Sequence, residues 1–290
     1  MNPLVSIIIP CFNAENFIAE TIQSVINQTY STWELIIVND GSTDNSLSII
    51  EQFVKQDSRI TSINKQNSGV SDSRNIGVSK SKGEYLILLD ADDLICQNFI
   101  ELGLPEFKSD GTIGLIHFDN QLIDEKSNKL AIINKSFEGY VLDKLLMLGG
   151  GEYIFGISSC IFKKEVLDII GLFDIKLSNS ADHDLYFKIA KHYKIKRIPE
   201  VGMLYRQHTN NMHSNLFLHE KDLLALFNNA SHNKLFKSSW FKQKCFSNMY
   251  LVLAGSWWKD GKNKTKGMIY LIKSLFTYPP VLFKLIKKLI

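Results

Sequence analysis

The chain has 290 residues, of which 45% are hydrophobic and 22% charged, with only 6 prolines. That profile excludes a disordered, collagen-like or low-complexity protein and leaves enough chain for a large core or two modest domains. The formal charge of +3 hides an asymmetry: residues 1–100 carry 6 Lys+Arg against 12 Asp+Glu, residues 101–200 carry 13 against 15, and residues 201–290 carry 14 against 3. The basic last third therefore points to an anionic partner. Four cysteines stand far apart with no CxxC pair, which speaks against a disulfide framework or a structural zinc site and for a reducing cytosol.

In chain order, Leu4–Ile9 is a β-branched apolar run stopped by Pro10. It lacks the positive flank of a signal peptide and reads as a strand. Asn16–Asn27 carries Phe17, Ile18, Ile22, Val25 and Ile26 at helical spacing. Glu34–Val38 is a second buried strand, followed by Asn39-Asp40-Gly41-Ser42 and an expected N-cap at Thr43-Asp44 for a helix with Leu47, Ile50 and Val54. Arg59–Ile63 predicts a third strand, Ser71–Lys80 a third helix, and Tyr85–Leu89 a fourth strand that ends in Asp90-Ala91-Asp92-Asp93. Continuous apolar strands alternating with helices predict an α/β fold with a mainly parallel sheet covered on both faces. Ligands of such sheets lie beyond the carboxyl ends of the strands, where Asn13 falls after the first strand, Asp40 after the second and Asp90 to Asp93 after the fourth.

Beyond residue 93 the pattern loosens. A helix is expected over Gln97–Phe107, a strand over Thr112–Phe118, a hairpin or mobile loop over residues 119–140, a strand over Ser158–Phe162 and a short helix over Glu165–Ile170. Asp182-His183-Asp184 opens a helix, and Ile195–Tyr205 returns as a strand that delivers Arg206-Gln207-His208. Residues 211–290 read as long helices rich in Leu, Phe, Trp and Lys. The expected division is 1–210, with halves 1–93 and 94–210, followed by a helical extension over 211–290.

The chemistry starts from Asp90, Asp92 and Asp93. Three carboxylates within four residues repel one another unless a cation or a donor network neutralises them. Mg²⁺ and Mn²⁺ favour one or two carboxylates plus substrate phosphates, so the cluster suits a metal–diphosphate site; a solvated acidic turn capping the next helix suits it equally well. Asp40 after a buried strand can accept hydrogen bonds from a base or ribose, although Asn-Asp-Gly-Ser is also an ordinary turn. Gly69 allows close backbone approach, and Arg74 near a helix start can pair with phosphate.

Taken together, Ile7-Ile8-Ile9-Pro10-Cys11-Phe12-Asn13, Ile37-Val38-Asn39-Asp40-Gly41-Ser42-Thr43-Asp44, Ser73-Arg74-Asn75-Ile76-Gly77 and Leu88-Leu89-Asp90-Ala91-Asp92-Asp93 resemble the family 2 glycosyltransferases of the GT-A fold. The resemblance covers roughly residues 4–210. It implies a Rossmann-like α/β domain and an inverting hexosyl or N-acetylhexosaminyl transferase that uses a nucleotide-diphosphate sugar, UDP-linked by preference, and Mn²⁺ or Mg²⁺. It also implies a donor site of Pro10, Phe12, Asn13, Asp40, Gly69, Arg74, Asp90, Ala91 and Asp92, with Asp92 as a metal ligand. Ser180-Ala181-Asp182-His183-Asp184-Leu185 resembles the family's Glu-Asp-x-Asp-Leu element, which implies that Asp182 is the catalytic base; Ala181 replaces the Glu. Leu204-Tyr205-Arg206-Gln207-His208 resembles its Tyr-Arg-x-His element, which implies a second metal ligand in His208, with His213 as fallback.

The implied acceptor is a hydroxyl of a lipid-linked or growing cell-surface glycan, of O-antigen or capsule type. The rival readings are a polyprenyl-phosphate glycosyl synthase and a catalytically inactive scaffold of the same fold. Residues 234–290 hold 12 Lys and one acid, Asp260, among aromatic residues that include Trp240, Phe241, Tyr250, Trp257, Trp258, Phe276 and Phe283. Such a pattern fits peripheral seating on an anionic inner membrane leaflet from the cytoplasmic side better than nucleic acid, and a solvated helical cap is the competing account.

Overall fold

The computed structural model describes residues 2–133, 136–148, 154, 156–208 and 215–282. Its centre is a nine-stranded sheet built from β1 (Val5–Cys11), β2 (Trp33–Asn39), β3 (Ile60–Asn64), β4 (Tyr85–Leu88), β5 (Leu94–Ile95), β6 (Ile113–Ile123), β7 (Lys129–Ile133), β8 (Cys160–Lys163) and β9 (Lys194–Arg206). The strand order is β3-β2-β1-β4-β8-β6-β9-β5, with β7 paired to β6. The first four positions are parallel. Strand β8 then enters antiparallel between β4 and β6, and β9 runs parallel to β6.

Strand β1 shows why the sheet is covered twice. Val5, Ile7, Ile9 and Cys11 join the buried cluster beneath α1 (Ile18–Ile26), while Ile8 joins the opposite cluster beneath α3 (Val70–Lys80). This is the period-two alternation of a strand with both faces dry. The approach of α3 is close: a Cβ on Gly77 would lie 2.3 Å from Ile8 Cγ2.

The remaining helices are α2 (Ser46–Gln56), α4 (Phe99–Ser109), α5 (Leu142–Leu146), α6 (Lys164–Ile170), α7 (Ala181–Ala190), α8 (Leu216–His232), α9 (Ser239–Lys259) and α10 (Lys264–Thr277). The hairpin expected within residues 119–140 forms as the outer part of β6 with β7. The two-residue strand β5 is too short to leave a periodic signal, and it exists through its antiparallel pairing with Met203 and Leu204. Helix α2 begins at Ser46, two residues after Asp44. Asp44 still serves that terminus, accepting from Ser46 N (3.0 Å) and tying it to Glu15 N (3.0 Å).

The buried cluster on the α3 face runs across residue 211. Leu115, Phe162 and Phe187 share it with Leu223 and Phe227 of α8, Trp257 of α9 and Tyr270 of α10. Glu220 of α8 binds this layer together by accepting from Trp257 Nε1 (2.5 Å) and Tyr270 Oη (2.7 Å) and pairing with Lys266 Nζ (2.7 Å). Among the described residues no helix is long and apolar enough to cross a membrane.

Candidate active site

The carboxyl ends of β1, β2 and β4 face one rim, and the loops that leave them interlock. Asn13 sits in the left-handed region at φ 50°. Its Oδ1 accepts from Thr43 N (2.8 Å), and its own N–H donates to Ser42 Oγ (3.1 Å). The turn after β1 is thereby welded to the turn after β2. Pro10 is buried inside β1, whereas Phe12 is 51% exposed on the rim.

Asp40 is buried and shapes the loop that precedes α3. Its Oδ1 accepts from Ser68 N (2.9 Å) and pairs with Lys65, while Oδ2 accepts from Gly69 N (2.9 Å). A carboxylate offers about four lone-pair sites, so one acceptor position on Oδ2 remains for a ligand. Gly69 caps α3 at φ 98°, and the space where its Cβ would stand is open.

Arg74 lies one turn into α3 and is 6% exposed. Its Nη2 donates to Asp90 Oδ1 at 2.6 Å, and its guanidinium lies 5.4 Å from the Phe173 ring centre. Among the described residues Nε is buried without a hydrogen-bond partner. An orphaned guanidinium N–H is costly in a finished core and is natural where an anionic ligand completes the network. Burial works against the Arg74 charge, but Asp90 and Asp182 more than offset it and raise its pKa. Asp90 feels the converse: burial and the neighbouring Asp92 and Asp182 push its pKa up against the pull of Arg74.

The acidic turn after β4 divides its labour. Asp93 is buried and structural, accepting from Ser158 Oγ (2.7 Å) and Arg206 N (3.1 Å). Burial and the adjacent Asp92 and Asp90 hold its pKa well above the ordinary carboxyl value. The carbonyl of Ala91 is held by Thr21 Oγ1 at 2.9 Å, and that of Asp92 by Arg206 Nε at 2.9 Å. With its backbone fixed from both sides, Asp92 directs Oδ2 to within 2.8 Å of His208 Nε2. His208 is stacked on Phe17, ring centres 4.9 Å apart.

One carboxylate and one imidazole at this separation fit a single divalent cation. Among the described residues no cluster of three or more metal-ligating side chains occurs. The rest of the shell would therefore come from phosphate oxygens and water, as Mg²⁺ and Mn²⁺ sites commonly have it. The fallback ligand His213 lies outside the described residues.

Asp182 enters from the other half of the chain, in the first turn of α7. Oδ1 accepts from His183 N (2.8 Å) and contacts His183 Nδ1 (3.0 Å). Burial pushes the Asp182 carboxyl up, but His183 and Arg74 outweigh it, and the pKa lies below the usual aspartate value. His183 is raised in turn: burial lowers its pKa, and Asp182 more than restores it. Asp184 points away and pairs with Lys188 (2.7 Å) within the helix.

Arg74, Asp90, Asp92, His208 and Asp182 are thus brought to one site, while Asp40, Asn13 and Gly69 frame the loops along the same rim. Sequence reasoning missed Arg206, which is 1% exposed and bonded to Glu20 and Ser127 besides Asp92 and Asp93. The available signal was its place two residues before His208. It also missed Phe17 as the ring beneath His208, because Phe17 reads as one more apolar position of α1.

A sequence model described as "Glycosyl transferase family 2" matches residues 6–170. A chondroitin synthase of Pasteurella multocida is 30% identical over 199 residues, which is 69% of this chain but 20% of that protein. The chain therefore spans about a fifth of that relative's length. Among solved structures, Staphylococcus aureus TarS in complex with UDP-GlcNAc aligns with a TM-score of 0.67 at 14% identity, covering 93% of this chain and 79% of that one. The mannosyltransferase PcManGT of Pyrobaculum calidifontis, in complex with GDP-Man and Mn²⁺, aligns at 0.60 with 17% identity, covering 95% and 87%. At these identities the likeness to the solved structures is one of fold.

Proposed function

Since the chain belongs to glycosyl transferase family 2, we propose that it transfers a sugar, with inversion, from a nucleotide-diphosphate donor to a hydroxyl of a lipid-linked or growing cell-surface glycan. The observation that carries this reading is the convergence of a buried cationic group, Arg74, with two kinds of acid: the Asp90–Asp92 pair after β4 and the ionised Asp182 on α7. UDP is the favoured nucleotide, in line with the UDP-GlcNAc held by the TarS structure.

In the bound donor, Phe12 offers its ring to the base and the free acceptor position of Asp40 receives a base N–H. The Arg74 guanidinium faces the diphosphate. Asp182 accepts the proton of the acceptor hydroxyl as its oxygen attacks C1 from the face opposite the leaving group. The C1–O bond breaks, and its electron pair leaves on the diphosphate, next to Arg74. One displacement inverts the anomeric carbon and needs no second nucleophilic carboxylate. Asp92 and His208 would hold Mn²⁺ or Mg²⁺, which supplies positive charge to the departing diphosphate.

The donor reading is tested by calorimetry of the purified chain with UDP, GDP and TDP, with and without Mn²⁺. Binding of one nucleotide that strengthens with Mn²⁺ and weakens in Asp92→Asn is expected. Indifference to all three nucleotides under both conditions overturns the reading.

The C-terminal layer supports a peripheral location on an anionic membrane surface. On α10, Gly267, Tyr270 and Ser274 pack inward, while Met268, Ile269, Ile272 and Phe276 form an exposed apolar stripe on the opposite side. Twelve lysines against one acid over residues 234–290 supply the charge that anionic lipid attracts.

A further inference from the structure

We propose that Asp222, on α8, is a positioning residue for the base: its buried carboxylate clamps the segment that leads into α7 and thereby fixes where Asp182 stands. The proposal rests on the reading of Asp182 as base and extends it to a residue 40 positions further along the chain.

Asp222 is 1% exposed. Its Oδ2 accepts from three successive backbone N–H groups, Ser178 (2.8 Å), Asn179 (2.6 Å) and Ser180 (3.4 Å), and from Ser178 Oγ (3.2 Å). Successive N–H groups turned toward one point form an anion-binding nest, and here the anion is supplied by a distant helix of the same chain. Ser180, the residue before α7, makes no side-chain cap of its own. Asp222 thus provides the negative charge that a helix N-terminus attracts, from outside the helix. Charge-assisted bonds of this kind are roughly twice as strong as neutral ones.

A packing role alone accounts poorly for this arrangement. No salt bridge compensates the buried charge among the described residues, and Oδ1 is buried without a hydrogen-bond partner. An apolar residue on α8 would bury the same surface without that cost. What the carboxylate adds is a fixed point two residues before Asp182, closer than about 7 Å of extended chain. Misplacement of a reacting group by about 1 Å can cost on the order of 10²-fold in rate, so such a point has catalytic value.

The test compares Asp222→Ala, Asp222→Asn, Asn229→Ala and Asp182→Asn. Asn229 is the control, since its Nδ2 ties α8 to Asp174 Oδ2 (2.9 Å) in the same region without touching residues 178–180. Release of nucleotide by Mn²⁺-dependent hydrolysis is followed with UDP-GlcNAc, UDP-glucose, UDP-galactose and GDP-mannose, using the donor that the wild type cleaves fastest. Amide hydrogen exchange of residues 178–180 is measured in parallel.

For Asp222→Ala we expect kcat to fall by about 10²-fold, with nucleotide Kd unchanged within twofold and faster exchange at 178–180. Asp222→Asn keeps an acceptor oxygen and is expected to restore at least a tenth of the rate. Asn229→Ala should match the wild type at temperatures below its melting transition. Wild-type kcat in both Asp222 variants, while Asp182→Asn is inactive, overturns the positioning role alone. An equal loss in Asn229→Ala reduces it to general docking of α8 and also overturns it. Full activity of Asp182→Asn overturns the base reading instead, and failure of the wild type to cleave any of the four donors overturns both. If Asp222→Ala does not fold, the exchange and rate of Asp222→Asn decide: unchanged protection with unchanged rate rejects the clamp.

Discussion

The pair formed by Asp182 and His183 sets the expected pH response. The Asp182 pKa is lowered, so its carboxylate is lost only as pH falls through a value below the ordinary aspartate figure of about 3.9. A base must be ionised to act, so in the proposed role Asp182 is expected to contribute an acid limb to kcat below about pH 4. His183→Phe removes the neighbour that most strongly counters burial, so the Asp182 pKa rises and the acid limb should move upward; a pH–rate profile of donor hydrolysis measures the shift. Asp182→Asn is expected to abolish transfer and leave nucleotide Kd nearly intact, because the proposed donor contacts lie after β1 and β2, on α3 and after β4. At this scale the sequence was legible where chemistry is local. Asp90, Asp92 and Asp182 stand out because they lie in short motifs that resemble the family's, and the structure brings them to one rim. Asp222 was not legible, since it acts across more than 40 residues and nothing beside it in the chain signals the partner, and Arg206, which also acts at long range, had only its nearness to His208 to mark it.

Among the elements, α3 carries the most constraint for its length. Gly69 opens it with a positive φ, Arg74 occupies its middle, and Gly77 lets it rest against Ile8 of β1. Gly77→Ala drives a methyl to 2.3 Å from Ile8 Cγ2. Overpacking of this kind costs about 1–3 kcal/mol, to be read as a lower denaturation midpoint in urea with the m-value unchanged. The first four strands and three helices were readable because apolar runs alternate with helical periodicity and each ends at a polar turn. The short β5 and the insertion of β8 between β4 and β6 were not, because pairing partners and register are set by tertiary contacts that no local pattern encodes.

For the whole molecule, the charge asymmetry read from composition finds a place in the C-terminal layer. That layer is packed on the sheet through the buried cluster containing Phe227, Trp257 and Tyr270. Its outer stripe can be removed without touching this packing. Ile272→Ser combined with Phe276→Ser, both exposed, should leave the melting temperature unchanged. The same double variant is expected to lose sedimentation with phosphatidylglycerol vesicles, and wild-type binding in 50 mM salt that disappears in the variant is the result to look for. Equal sedimentation of both proteins rejects the stripe as the contact.

The place of β8 also carries a consequence for how the protein is made. Strand β4 and the acidic turn behind it are synthesised some 70 residues before the strand that covers their open edge. Until then the nascent chain presents an unpaired, apolar sheet margin, which is where wrong pairings between chains begin. Long-range closure of this kind is slow, because the ends of a large loop must meet before any contact rewards them. Arg206, at the end of the last strand, and His208, two residues beyond it, follow later still. An isolated donor half would therefore be both sticky and incomplete, and ribosome-associated chaperones would have their greatest effect on yield before residue 163 has emerged.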